Sequence, residues 1–339
     1  MHYNVYVTVS GEDRIARYAM DSDTGELETR GDVPLSGRPA PIAVSPDQQY
    51  MYVAQRESCE ITGFRINASD GALTAIGTIP LESDPCYMAT DRTGRYLFSA
   101  YYLAEKAAVH RIENGAVTHP PIEWRTTGRG SHCFQTDRSN RYAFVPHIDG
   151  NGAPNAIFQF RFDPSTGQLT PNDPPRFAEP AMTGPRHFCF HPTKEIIYVS
   201  NEQGCSVSVC ALDTGTGTLS LLQTISTLPD SWAGESKCSQ IRISPGGRFL
   251  YAPNRGHDSI AEFSVDPDSG LLTSLGHTAA EPVPRAFEID PAGHFLLSAG
   301  LESGRLAVYQ IDNESGRLER IATHEVGAKP MWVAILPVS

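Results

Sequence analysis

The chain has 339 residues, 40% of them hydrophobic, so it is long enough to bury a large core. Its 27 basic and 39 acidic residues give a net charge of −12, which argues against a surface for nucleic acid or anionic membranes. The first residues, MHYNVYVTVS, lack the basic and apolar regions of a signal peptide, and no run approaches the roughly 18 apolar residues of a membrane span. Seven scattered cysteines fit reduced thiols. We therefore expect a cytoplasmic protein with no nucleic-acid or membrane partner.

One hairpin-like pattern recurs along the chain. It consists of a short alternating run, a polar turn carrying Pro, Asp or Gly, and an apolar run rich in Tyr, Phe and Val, which is typical of a β-hairpin. The copies begin, in chain order, at Ile42, Tyr87, Cys133, Phe188, Ile241 and Phe287. Between successive copies lies a further strand pair with a Gly-bearing turn, such as IAEFSVDPDSGLLTSLG. Each repeat therefore predicts four strands, and no segment shows sustained helical periodicity.

Four-stranded repeats of about 45 to 55 residues are typical of a β-propeller. The N-terminal segment supplies three strands with nothing before them, and WVAILPVS supplies one strand at the C-terminus. We expect residues 331 to 336 to pair beside the strand near Tyr3 to Thr8, which completes the last blade and leaves no long open edge. The prediction is an all-β fold, a seven-bladed β-propeller with four antiparallel strands per blade, in a single domain of residues 1–339.

Charged and imidazole side chains recur at two positions of the predicted blades. In a propeller, the loop before the first strand of a blade and the loop after its second strand open on the same face. A scaffold alone would place small or turn-forming residues there. The residues found before first strands include His132, Arg186, His187, Gln240, Arg285 and Trp332, and those found after second strands include His147, Glu202 and Arg255. We expect them to meet at one mouth of the channel.

The predicted cluster combines three arginines with one glutamate, so it is locally positive in an acidic protein. Guanidinium groups match carboxylate or phosphate oxygens in a bidentate way, which favours an anionic ligand. A histidine or glutamate beside such a ligand can act as a general acid or base. The alternative is an ion-pair network that holds neighbouring blades together, because buried charges are usually paired.

Two histidines resemble a metal-binding pair without fitting one. His187 and His191 are four residues apart, as in a helical zinc pair, but they lie on a predicted strand, where four residues span roughly 13 Å. His191 also occupies the turn position that Asp91, Asp137 and Asp290 fill in other repeats. We therefore expect a turn role for His191, and neither a metal nor another cofactor.

At these residues the chain resembles the seven-bladed propeller lactonases, the group that contains bacterial 6-phosphogluconolactonase and fungal 3-carboxy-cis,cis-muconate lactonising enzyme. The motifs GPRHFCFHP, SNE, PNRG, VPRAFEIDPAGHFL and VGAKPMWV carry the resemblance, which extends over essentially the whole chain. It implies a metal-free site at the channel mouth that acts on lactones or on the open acids they form from. It further implies that His132 and Glu202 form an acid/base pair and that Arg186, Arg255 and Arg285 hold an anion.

The resemblance leads to an assignment of site residues and to one predicted function with two alternatives. The predicted catalytic residues are His132, Glu202 and Arg255, and the predicted substrate-binding residues are Arg186, His187, Arg285, His147, Gln240 and Trp332. The predicted function is hydrolysis of a phosphorylated or carboxylated sugar-type lactone. A carboxymuconate-type lactonising cycloisomerase needs the same groups, and a propeller that only binds ligands is the third possibility. Which of His132 and Glu202 is the base stays open, as does the choice between monomer and homodimer.

Overall fold

The computed structural model describes residues 2–150 and 152–338. All regular structure in these residues is β-strand, and they contain no helix that could cross a membrane. The strands fall into seven separate sheets, each with four strands in antiparallel order, and two of the sheets carry a fifth strand. Strands with alternating apolar residues and Gly-bearing turns were the main signal in the sequence, and each predicted repeat corresponds to one sheet.

Three sheets come from the first half of the chain, and a fourth is made from both ends. The first consists of β4 (Pro39–Val44), β5 (Tyr50–Gln55), β6 (Glu60–Ile66) and β7 (Leu73–Pro80). The second consists of β8 (Tyr87–Thr90), β9 (Tyr96–Tyr101), β10 (Lys106–Glu113), β11 (Ala116–Val117) and β12 (Glu123–Thr126). The third consists of β13 (Gln135–Thr136), β14 (Tyr142–His147), β15 (Ala156–Phe162) and β16 (Leu169–Ala178). The sheet of both ends consists of β1 (His2–Val9), β2 (Arg14–Asp21), β3 (Leu27–Pro34) and β30 (Pro330–Pro337).

The remaining three sheets come from the second half. One consists of β17 (Pro185–Phe190), β18 (Ile196–Asn201), β19 (Ser206–Asp213) and β20 (Thr218–Ser226). The next consists of β21 (Lys237–Cys238), β22 (Arg242–Ile243), β23 (Phe249–Arg255), β24 (Ser259–Val265) and β25 (Leu272–Ala279). The last consists of β26 (Pro284–Ile289), β27 (Phe295–Gly300), β28 (Arg305–Ile311) and β29 (Leu318–Glu325).

The two ends of the chain pair as the sequence predicts. Strand β1 lies antiparallel to β30, with Tyr3 opposite Pro337 and Thr8 opposite Trp332. Residues Tyr3–Val9 of β1 are all buried, which explains why this strand reads as a nearly continuous apolar run. Pairing of the ends turns two incomplete sets of strands into one four-stranded sheet.

Burial falls from the inner to the outer strand of a sheet. In β5, Met51–Gln55 are all buried, whereas the outer strand β7 of the same sheet has no buried residue. The same contrast separates β1 from β3. Second strands are therefore mostly apolar, with polar residues such as Gln55 and Asn201 at their ends, while outer strands tolerate the mixed composition seen in the sequence.

A repeated tyrosine hydrogen bond joins successive sheets. The hydroxyl of a tyrosine on a second strand donates to a backbone carbonyl in the outer turn of the next sheet, in the pairs Tyr52–Gly115, Tyr142–Gly215, Tyr198–Gly270 and Tyr251–Gly316. Gly316 has a φ of 72°, and a Cβ atom there would lie 2.2 Å from a ring carbon of Phe249. Glycine is thus needed in this turn for its backbone conformation and for space.

The described residues form two compact units. The first comprises the chain up to Val33 together with Arg186–Leu212 and Leu219–Val338, and the second comprises Pro34–Pro185 and Asp213–Thr218. A single domain of residues 1–339 stays a prediction.

Candidate functional site

Several predicted site residues lie within strands, whereas the sequence analysis placed them in the preceding loops. Arg186 and His187 belong to β17, and Arg285 belongs to β26. Trp332 lies in β30, as expected from the predicted pairing of residues 331 to 336. The loop placement was wrong because β17 and β26 each begin at a proline, which reads as a turn signal in the sequence. Proline fits the first residue of a strand because it needs no N–H partner there.

One buried carboxylate joins two arginines in the first unit. Arg186 Nε donates a hydrogen bond of 2.6 Å to Oε2 of Glu202, and Arg255 Nη2 lies 3.0 Å from the same oxygen. The side chains of Arg186 and Glu202 are only 2% and 11% exposed. Arg186 comes from the first strand of one sheet and Glu202 directly follows its second strand, while Arg255 ends the second strand of the next sheet.

The charge on Glu202 follows from its neighbours. Burial raises the pKa of this carboxyl, but the positive charges of Arg186, Arg255 and Arg285 outweigh burial, and the pKa is lowered overall. Glu202 is therefore ionised at neutral pH. The charges of three arginines thus act on one carboxylate, and the predicted anion-binding role of these arginines stays a prediction.

The two oxygens of Glu202 differ in their surroundings. Both arginine contacts fall on Oε2, and within residues 2–150 and 152–338 no group donates a hydrogen bond to Oε1. Arg255 is itself fixed, because its Nη2 donates to the carbonyl of Cys238 at 2.7 Å. One oxygen thus orients the carboxylate, while the other can accept a proton from a ligand or from water.

His187 and Trp332 are packed near one another in the same unit. His187 is 2% exposed, and its ring centroid lies 6.2 Å from that of Trp332. The backbone N–H of His187 donates to the hydroxyl of Ser200, which also lies 3.0 Å from the carbonyl of Ser239. These contacts fix the backbone that carries His187. Its role in substrate binding, and that of Trp332, stay predictions.

Gln240 makes a hydrogen bond to the strand that carries Arg285. Its Oε1 accepts a 3.0 Å hydrogen bond from the backbone N–H of Phe287, and the residue is 2% exposed. Phe287 lies in β26, two residues after Arg285. This contact joins Gln240 to the strand that carries Arg285, and the predicted substrate contact of Gln240 stays a prediction.

His132 lies in the second unit. Its ring packs edge-on against Tyr102, with the centroids 5.6 Å apart, and its backbone N–H donates to the carbonyl of Pro146. The preceding residue, Ser131, forms a β-bridge with His147. The acid/base role of His132 stays a prediction.

Both ring nitrogens of His147 form hydrogen bonds within the protein. Its Nδ1 donates to the carbonyl of Val145 and its Nε2 accepts from the hydroxyl of Thr127, both at 2.9 Å. The side chain is fully buried, and burial lowers its pKa to about 3, so the ring is neutral. With both ring nitrogens engaged, His147 has nothing to offer a ligand, which argues against the predicted substrate contact.

One charged residue near His132 was missed in the sequence analysis. Arg129 is half-buried, and its Nε is enclosed without a hydrogen-bond acceptor among the described residues. The available signal was the triplet Gly128–Gly130 around it, which reads as an ordinary turn.

The described residues hold no group of three or more His, Cys, Asp and Glu that could bind a metal ion. His191 has the predicted turn role, since its Nδ1 accepts from the backbone N–H groups of Thr193 and Lys194. A metal-free reaction stays a prediction.

Comparison with known proteins now assigns the family. A profile described as "Lactonase, 7-bladed beta-propeller" matches residues 4–335. The chain belongs to this family of lactonases. The seven sheets are therefore the blades of a seven-bladed β-propeller, and the predicted fold class is confirmed.

Individual relatives cover nearly the full chain. The 6-phosphogluconolactonase of Serratia proteamaculans (strain 568) is 36% identical over 332 residues, or 98% of each chain. The 6-phosphogluconolactonase of Yersinia pestis (strain Pestoides F) is 34% identical over 335 residues, or 99% of this chain and 98% of the relative. Among solved structures, the periplasmic gluconolactonase PpgL of Pseudomonas aeruginosa superposes with a TM-score of 0.92 at 26% identity over the whole of both chains.

Proposed function

We propose that this member of the lactonase family hydrolyses a phosphorylated sugar lactone, with 6-phosphogluconolactone as the first candidate. Two relatives of nearly equal length carry that name. The observation that carries the proposal is the ionised, buried Glu202, whose Oε2 is held by Arg186 and Arg255 while Oε1 accepts no hydrogen bond from the described residues.

Glu202 is the proposed general base. Its Oε1 accepts a proton from water as the water oxygen forms a bond to the ring carbonyl carbon. The two arginines keep the carboxylate in one orientation. Oε1 therefore has a fixed position from which it can accept the proton, which favours the transfer. The lowered pKa makes Glu202 a weak base, so the attack depends on positioning and on stabilisation of the charge that develops.

The arginines stabilise that charge. Attack converts the carbonyl oxygen into an oxyanion, and a preorganised guanidinium in a partly dry site stabilises such charge strongly. Arg255 and Arg285 are both half-buried, so they are more accessible than Arg186. When the tetrahedral intermediate collapses, the ring C–O bond breaks and the ring oxygen takes up a proton. His132 is the proposed donor of that proton, following the sequence prediction.

The test is a substrate screen on one preparation of the protein. We expect hydrolysis of 6-phosphogluconolactone above the rate without protein, and no cyclisation of a carboxymuconate. Glu202→Gln keeps the shape and removes the proton acceptor, so it should lower kcat far more than it changes KM. Conversion of the carboxymuconate alone would instead assign a lactonising cycloisomerase. A folded protein that binds these compounds and converts none would be a binding platform.

The cellular location, the oligomeric state and the partners of the protein are also proposals. We propose a cytoplasmic monomer or homodimer that acts on a small anionic substrate and binds neither nucleic acid nor membranes. The net charge of −12 supports the last point. Light scattering on the purified protein measures the oligomeric state.

A further inference from the structure

Two cysteines lie beside the contact between Glu202 and Arg255. Cys205 belongs to the turn between β18 and β19 that also carries Glu202, and Cys238 ends β21. The backbone N–H of Cys238 donates to the carbonyl of Glu202 at 3.2 Å, and the carbonyl of Cys238 accepts from Nη2 of Arg255 at 2.7 Å. The backbone of Cys238 therefore contacts both members of this ion pair.

The hydrogen bonds around the two cysteines bring their thiols together. The backbone N–H of Thr227 donates to the carbonyl of Cys205 at 2.9 Å, and the hydroxyl of Thr227 lies 3.1 Å from Sγ of Cys238. Sγ of Cys205 lies 4.0 Å from the carbonyl oxygen of Glu202, and the same oxygen accepts the N–H of Cys238. Both residues are free thiols in the structure. Neighbouring thiols of this kind are the first requirement for a disulfide.

The two thiols differ in their reactivity. A hydrogen bond from the thiol of Cys238 lowers the pKa of Cys205 to about 7, so a large part of Cys205 is thiolate at neutral pH. The same hydrogen bond, together with burial, raises the pKa of Cys238. Cys205 is 8% exposed, whereas Cys238 is fully buried. Because the thiolate is the form that attacks an oxidant, Cys205 reacts first.

Cys59 has the same turn position in another sheet and lacks these properties. Like Cys205, it directly precedes the third strand of its sheet and has a positive φ, 53° against 43°. The thiols of both residues also lie near the carbonyl three residues before them. Burial and the negative charge of Asp84 raise the pKa of Cys59. The turn position alone therefore does not activate a thiol, and the neighbouring Cys238 makes the difference.

We propose that Cys205 and Cys238 form a reversible disulfide when the protein meets a peroxide, and that this bond lowers the activity of the Glu202 site. The effect on activity rests on the function proposed above, whereas formation of the disulfide does not.

The reaction has two steps. The thiolate of Cys205 attacks one oxygen of hydrogen peroxide, the O–O bond breaks, and Cys205 becomes a sulfenic acid while the other oxygen leaves as hydroxide. The sulfur of Cys238 then displaces hydroxide from the sulfenic sulfur and gives up its proton. Both hydroxides take up a proton and become water. Two thiols and one hydrogen peroxide thus give one disulfide and two waters, with the thiols oxidised and the peroxide reduced.

The disulfide acts on the site through the backbone of Cys238. A disulfide holds its sulfur atoms about 2.05 Å apart, so closing it draws Sγ of Cys238 towards Cys205 and away from the hydroxyl of Thr227. The carbonyl that fixes Arg255 shifts with it, and the contact between Arg255 and Oε2 of Glu202 weakens. Reduction by an added thiol breaks the disulfide and restores the contact.

The experiment treats the full-length protein with hydrogen peroxide and then with dithiothreitol. Wild type is compared with Cys205→Ser, Cys238→Ser and the matched control Cys59→Ser. After the remaining thiols are blocked, mass spectrometry of a digest should show a peptide pair linked through Cys205 and Cys238 in wild type and in Cys59→Ser. In these two proteins kcat/KM for 6-phosphogluconolactone should fall at least about fivefold on oxidation and return on reduction. Cys205→Ser and Cys238→Ser should each keep the kcat/KM that they had before treatment.

Several outcomes would overturn the proposal. Absence of the linked peptide from oxidised wild type would do so, and this measurement still decides if a serine variant does not fold. An equal loss of kcat/KM in all four proteins would show that peroxide acts on other side chains. A linked peptide with unchanged kcat/KM would remove the effect on the site. A band of twice the chain mass on a nonreducing gel would assign the bond to two chains.

Failure of the proposed function is a separate outcome. If reduced wild type hydrolyses no lactone, the mass spectrum still shows whether the disulfide forms. A linked peptide in such a protein would confirm the disulfide while the proposed function and the effect on activity fail. An active protein without the linked peptide would keep the proposed function and overturn the disulfide.

Discussion

Arg186 Nε and Glu202 Oε2 lie 2.6 Å apart, and both side chains are buried. This contact has two consequences that must be separated. Removing one partner of a buried ion pair leaves an uncompensated charge and typically destabilises a protein by about 3–5 kcal/mol. The same removal would disorient the proposed base. Activity and stability therefore have to be measured on the same variants.

We predict different results for the arginines of this cluster. Arg186→Ala should lower both the melting temperature and kcat/KM, because Arg186 is the most buried partner of Glu202. Arg285→Ala should lower kcat/KM while the melting temperature changes little, because Arg285 is only half-buried. Steady-state kinetics and thermal unfolding on both variants, with Glu202→Gln beside them, provide the measurement. Variants that melt early yet keep wild-type kcat/KM would make the cluster an ion-pair network with a structural role alone.

A second prediction concerns His147. His147→Phe removes the hydrogen bonds to Val145 and Thr127, each worth about 1–3 kcal/mol when a buried partner is left unsatisfied, so the free energy of unfolding should fall. The kcat/KM of the folded variant should equal that of wild type. A sharp loss of kcat/KM at a temperature where the variant is fully folded would restore His147 to the site.

His147 should also affect stability in acid. Its pKa falls from 6.5 to about 3 on folding, so the unfolded chain binds a proton more readily. Stability from this residue is present above pH 6.5 and is lost as the pH falls towards 3. Chemical unfolding at several pH values should show a shallower acid loss in His147→Phe than in wild type.

A third prediction is that no divalent ion is required. Dialysis against a strong chelator should leave kcat unchanged, because the proposed reaction uses only Glu202, His132 and the arginines. Loss of activity on chelation, with recovery on adding one divalent ion, would contradict this mechanism.

The repeat and its closure were predictable from the sequence because they depend on local patterns. Alternating apolar runs and Gly-bearing turns mark each hairpin wherever it lies. The pairing of Tyr3 with Pro337 followed from counting strands, since each end supplied only part of one repeat. The starts of β17 and β26 were misplaced because a proline signals a turn and also begins these strands.

The roles of single side chains were harder to predict. His147 and Gln240 occupy the predicted positions, but the fold brings backbone groups of Val145 and Phe287 to them, and these contacts use their polar atoms. The position of a residue in the sequence shows where it lies in a repeat. It does not show which hydrogen-bond donor or acceptor the residue contacts in the fold. Arg129 was missed for the opposite reason, since only the structure reveals that its Nε is enclosed without an acceptor among residues 2–150 and 152–338.

The last prediction uses the lowered pKa of Glu202. The ionised carboxylate is the proposed active form, so activity persists above its pKa and is lost as the pH falls through it. Arg186, Arg255 and Arg285 hold that pKa below the ordinary 4.5, and the acid limb of kcat/KM that belongs to Glu202 should therefore lie below pH 4.5. Arg255→Gln removes one of these charges, so the pKa should rise and the acid limb should move to higher pH.

Profiles of kcat/KM against pH for wild type and Arg255→Gln check this directly. Arg161→Gln serves as the control, because Arg161 is an exposed residue of β15 and is not among the charges that lower the pKa of Glu202. An acid limb at the same pH in all three proteins would show that Glu202 is not the group that titrates. A wild-type limb near the usual pKa of histidine, about 6.5, would instead assign the base to an imidazole, and His132 would replace Glu202 in that role.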